Sequence, residues 1–95
     1  MEERTQTEFE AWIKAIPHGD YEQIRAQVIM ECGVSRATFA SWLRGDTSPD
    51  SDNRITITVI AYRYDNERLP FSNMTAELDE EGEIRVIIRQ PKKME

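Results

Sequence analysis

The chain predicts a mainly α fold, a four-helix bundle followed by a C-terminal β-hairpin. Three observations predict it. Apolar residues recur at helical spacing in several segments, each closed by glycine or proline. A short stretch around Gly33 joins two of those segments through a tight turn. The tail then changes character, with β-branched runs flanking the acidic glycine turn Glu80-Glu81-Gly82. Residues 1–71 are expected to form the helical domain and residues 72–95 the hairpin extension.

The first helix is expected over about 8–16. Phe9, Trp12, Ile13 and Ile16 follow the stripe of an amphipathic helix. Thr5 or Thr7 can cap it, Glu8 and Glu10 suit the positive end of its dipole, and Pro17 and Gly19 close it. Asp20 is then expected to cap a second helix over about 21–32, with Tyr21, Ile24, Val28 and Ile29 on its buried side and Gly33 at its end. The third helix, about 35–44, starts at Ser35, a capping residue. Phe39, Trp42 and Leu43 share one face of it, so Trp42 is expected to be buried beside Phe39 and the first helix near Trp12. Ser35, Arg36, Ala37, Thr38, Ala40, Ser41 and Arg44 are left on the other face, which is small, polar and basic. A helix, a glycine turn with Val34 as a plug, and a second helix with an unobstructed polar face make a helix-turn-helix.

Gly33-Val34-Ser35, Thr38-Phe39, Ser41-Trp42, Gly45 and Pro49 together resemble the helix-turn-helix of phage-repressor-type (lambda-repressor-like) DNA-binding domains. The resemblance covers about a quarter of the chain. It implies sequence-specific binding to double-stranded DNA by a small transcriptional regulator, with residues 35–44 as recognition helix. Ser35 and Thr38 would then bond phosphate, Arg36 and Ser41 would reach base edges, and Arg44 would hold phosphate. Ala37 and Ala40 would let the helix approach the groove. One position departs from the pattern. The family usually carries a small residue four places before the glycine, where the two helices touch, and here that residue is Ile29. Either the helices splay, or the upstream helix has another register.

The fourth segment, about 51–64, sets propensity against pattern. Ile55-Thr56-Ile57-Thr58-Val59-Ile60 is β-branched throughout and suits a strand. Helix is expected instead, because apolar residues continue at 57, 60, 61 and 64 and Asp50 or Ser51 offers a cap. The resemblance also implies a helix after the proline. Leu69-Pro70-Phe71 is expected to fold back on the bundle. Residues 75–79 and 83–89 are the expected strands, and residues 91–95 look frayed. A lone two-stranded hairpin is marginal in water, so it must lie on the helices or pair with another chain. An unpaired β edge invites pairing, which makes a homodimer through Ile84 to Ile88 the expected assembly.

Composition limits the chemistry. The net charge is −6, and residues 33–44 are the only positive segment. Weak non-specific DNA binding follows, since phosphate neutralisation supplies most of that interaction. The alternative reading is a protein–protein adaptor on the same scaffold, using the acidic surface or the hairpin edge. The discriminator is the outer face of the third helix. A continuous positive stripe around Arg36 and Arg44 favours DNA, whereas a neutral stripe beside an exposed apolar edge at Ile84–Ile88 favours an adaptor. No enzyme, cofactor or metal site is expected. His18 and Cys32 are the only residues of their kinds, too few for a zinc site. Asp50-Ser51-Asp52-Asn53 opens like a calcium loop but lacks its later glycine and closing glutamate. The polar N-terminus is not a signal peptide, no apolar run is long enough for a bilayer, and one cysteine fits a reducing cytoplasm.

Overall fold

The computed structural model describes residues 7–89; the candidate cap Thr5 and the tail 91–95 lie outside them. Four helices run in order, α1 (Glu8–Ala15), α2 (His18–Cys32), α3 (Arg36–Arg44) and α4 (Ser51–Tyr64). An antiparallel hairpin of β1 (Met74–Leu78) and β2 (Ile84–Ile88) follows, so the fold is mainly α with a C-terminal β-hairpin.

Local chemistry accounts for most boundaries. Thr7 caps α1 by accepting from the Glu10 N–H at 3.0 Å. Ser35 caps α3 through Thr38 at 3.1 Å, and Asp50 caps α4 through Asn53 at 2.9 Å. Gly33 closes α2 at φ 67°, a left-handed conformation that suits glycine. The Val34 N–H then bonds the Ile29 carbonyl at 3.2 Å, the long bond of a Schellman end. Gly45 ends α3 the same way at φ 82°.

Three expectations need correcting. α2 begins at His18, not Tyr21, and Asp20 is not its cap. Pro17 stands at the N-terminus with no side-chain cap, its missing N–H costing nothing there. Asp20 lies inside the first turn, where it accepts a bond from the Tyr64 hydroxyl at 2.6 Å and ties α2 to the end of α4. α1 also stops at Ala15, with Ile16 as its extended C-cap.

The β-branched α4 is helical because its inward residues are core. Ile57, Thr58, Ile60 and Ala61 are all but completely buried. Its threonines are satisfied locally, since the Thr56 and Thr58 hydroxyls donate to the carbonyls of Asp52 and Arg54. Burial of this face outweighs a propensity difference of tenths of a kcal/mol per residue.

The core joins Phe9, Trp12, Ile13 and Ile16 of the first helical segment to Ile24 and Val28, Phe39 and Trp42, the buried face of α4, Phe71 and Met74. Phe9 sits at the centre of the aromatic packing. Its ring meets Phe39 at 5.7 Å and Trp42 at 5.8 Å, both edge-on, and Trp12 at 6.1 Å. Trp42 is therefore buried on α1, through Phe9. α3 packs chiefly on α1, and α2 chiefly on α4. The two helices of the turn thus lean on different partners, which accommodates Ile29, half-buried where a small residue was expected.

The hairpin lies on α4. Met74 is buried and Val86 packs against the core, so the inner face carries Met74, Ala76 and Leu78 opposite Ile88, Val86 and Ile84. The clip holds the join. Pro70 and Phe71 are buried, and the Ser72 N–H bonds the Glu8 carboxylate at 3.2 Å. Among the described residues, no helix is long and apolar enough to cross a membrane.

Candidate nucleic-acid interface

α3 presents its outer face because its inner face is anchored. With Phe39 and Trp42 locked on Phe9, the helix cannot roll, and Ser35 through Arg44 take fixed places. Arg36 and Ala37 are exposed at the first turn, Ala40 is half-buried, and Arg44 is exposed at the last turn.

The hydroxyl groups are already engaged. Ser35 Oγ accepts the Thr38 N–H and donates to Thr38 Oγ1 at 3.2 Å. Ser41 Oγ lies 2.9 Å from Thr47 Oγ1, and its carbonyl accepts from the Asp46 N–H at 3.0 Å. Ser41 is thus half-buried under the loop after α3 instead of standing clear. That loop is held from behind. Arg54 Nε donates to the Pro49 carbonyl at 3.0 Å while its guanidinium lies 5.3 Å over the Phe71 ring.

The loop brings in residues that helical spacing does not reveal. Thr47 and Ser48 of the loop, with Asn53 from the first turn of α4, join Ala37, Thr38 and Ser41 around an open hollow of about 460 Å³. The cue was present in composition, as a hydroxyl-rich loop between a glycine and a proline. Its contact with Ser41 is tertiary.

Charge is where the face departs most from expectation. Arg44 Nε donates to Asp46 Oδ2 at 2.9 Å, so the second arginine of the basic helix is partnered two residues later. Asp50 caps α4 beside the same hollow. Arg36 makes no ion pair among the described residues and is the one unpaired cation of this face. The stripe is close to neutral, not continuously positive. The Arg44–Asp46 pair is well exposed on both sides, and such pairs contribute about 0–1 kcal/mol, little enough for a phosphate to displace the aspartate.

Elsewhere, Cys32 is half-buried with its thiol 3.9 Å from the Asn53 carbonyl. Burial pushes that thiol up to about 11, and Glu31 and Asp50 add to the shift. No group of His, Cys, Asp and Glu that could hold a metal exists among the described residues. No family model, curated protein or solved structure matches the chain.

Proposed function

We propose that the chain is a small cytoplasmic transcriptional regulator that binds double-stranded DNA sequence-specifically, with α3 as the recognition helix. One observation carries this reading: α3 is fixed from behind by aromatic packing and carries outward only short side chains and arginines. Such a helix fits a major groove about 12 Å wide. Arg36 at the first turn is the guanine reader, and Ala37 permits close approach. Thr38 lies at the N-terminal end, where its hydroxyl meets phosphate, and Ser35 joins it only by giving up the bond it donates to Thr38. Ser41 acts through Thr47 as part of the loop wall. Arg44 reaches phosphate by exchanging Asp46 for it.

Neutrality of the face sets the expected energetics. One or two phosphate contacts give a salt slope near −1 to −2, shallow beside readers with many such contacts. The test is titration of duplex selected from a random pool at several salt concentrations. Arg36→Ala should cost about 1–3 kcal/mol and relax preference at one base position. Arg44→Ala should weaken all duplexes alike, and Asp46→Asn should strengthen them and steepen the slope by about one unit. Wild-type protein with no sequence preference at low salt would sink the DNA reading.

The adaptor reading stands beside it, because the charge of the stripe and the exposure of the hairpin edge are the pair of features that favour an adaptor over DNA. The Arg44–Asp46 pair neutralises the helix, while Leu78, Ile87 and Ile88 are exposed on the hairpin at 57%, 39% and 40%. A protein partner would then take the place of DNA.

A further inference from the structure

The hairpin has an edge that its own chain leaves unused. The Asp79 N–H bonds the Glu83 carbonyl, and the Arg89 N–H bonds the Asn73 carbonyl. Antiparallel pairing alternates, so Glu83, Arg85, Ile87 and Arg89 turn their backbone groups toward β1. Ile84, Val86 and Ile88 therefore turn theirs outward. None of the described hydrogen bonds uses those groups. The β1 edge is less free, because the Met74 N–H is taken by the Phe71 carbonyl at 3.0 Å.

We infer that the outer edge of β2 pairs antiparallel with β2 of a second copy, about a two-fold axis at Val86. The sequence of the edge selects this register. With Val86 opposite Val86 of the second copy, Ile84 meets Ile88 in both directions, and all three outward residues are paired. About six inter-chain backbone bonds result. Arg89 then stands opposite Glu83 at each end, and Ile87 opposite the stem of Arg85. A shift of the axis to Ile87 would set Arg85 against Arg89, and a shift to Arg85 would set that residue against itself. Both shifts leave an outward residue unpaired and oppose like charges. Opposite charges at equal distance on either side of the centre make the edge complementary to itself, as a two-fold interface requires. The exposed inner-face residue Ile88 gains an apolar neighbour on the same face as Val86. The inference stands whether or not α3 reads DNA.

Light scattering on the full chain at high micromolar concentration tests it. The expected mass is twice 11.1 kDa, falling on dilution. Arg89→Glu should raise the dimer Kd roughly tenfold, because two cross-strand pairs turn from attraction to repulsion. Glu83→Arg combined with Arg89→Glu should restore it. Both residues are exposed, so neither change threatens the core. Ile88→Pro removes an outward N–H without touching the bonds to β1 and should give a monomer with unchanged circular dichroism. A wild-type mass of 11.1 kDa throughout would overturn the inference and leave the edge to a strand of another protein. A dimer indifferent to both the charge reversal and the proline would overturn it equally.

Discussion

Trp42→Ala tests the assignment of inner and outer faces on α3. Trp42 is 4% exposed and meets Phe9 edge-on at 5.8 Å. Truncation removes the indole from the one aromatic cluster that holds α3 on α1. Large-aromatic truncations in cores cost about 3–5 kcal/mol. A chain of 95 residues is expected to hold roughly 5–14 kcal/mol in all. The substitution therefore removes between a fifth and all of the stability, and lowers Tm by roughly 12 °C or more. Urea unfolding followed by far-ultraviolet circular dichroism measures it, with Trp12 fluorescence as a second probe. Arg36→Ala, on the exposed side of the same helix, should stay within about 0.5 kcal/mol of wild type. A Trp42→Ala loss below about 1 kcal/mol would mean that the indole faces solvent and that α3 presents its other side.

Gly33→Ala should cost about 1–2 kcal/mol by chemical denaturation, because φ 67° strains any residue with a Cβ even though open space surrounds it. Gly19→Ala should stabilise by about 0.5–1 kcal/mol in the same assay, since Gly19 lies in the first turn of α2 with nothing within 4 Å. Cys32 should resist alkylation at pH 8 in the folded chain and react readily once unfolded, and equal rates in both states would contradict its burial. Its folded pKa is raised from 9.0 to about 11, so the stability of the neutral thiol is fully present below about pH 9. That stability is lost as pH rises through about 11, and Cys32→Ala should remove this component of the alkaline fall. The Tyr64 hydroxyl, held protonated first by its bond to Asp20, should titrate above the usual tyrosine range by ultraviolet absorbance and return toward it in Asp20→Asn.

By itself the sequence determined what short-range chemistry controls. Ser35 was legible as a cap, and Thr7 and Asp50 each as one of two candidates, because a side-chain oxygen three residues before an N–H needs no distant partner. Gly33 and Gly45 stop helices because a left-handed residue without Cβ is cheap wherever it falls. The face of α3 that is buried was likewise legible, since Phe39 and Trp42 share one side of any helix. What needed the tertiary structure was every feature built across elements. The extra turn at the start of α2 came from Pro17 being tolerated at a helix start, while Asp20, a good cap by type, was drawn to Tyr64 on α4. Ile29 was accommodated because α2 leans on α4 and α3 on α1. The charge of the candidate reading face was decided last. Helical spacing counts Arg36 and Arg44 as a basic stripe, but the turn at Gly45 folds Asp46 back onto Arg44 and the loop sets Thr47 against Ser41. A stripe read from one helix omits whatever the next loop lays on it, and Coulomb attraction across 2.9 Å depends on where that loop goes.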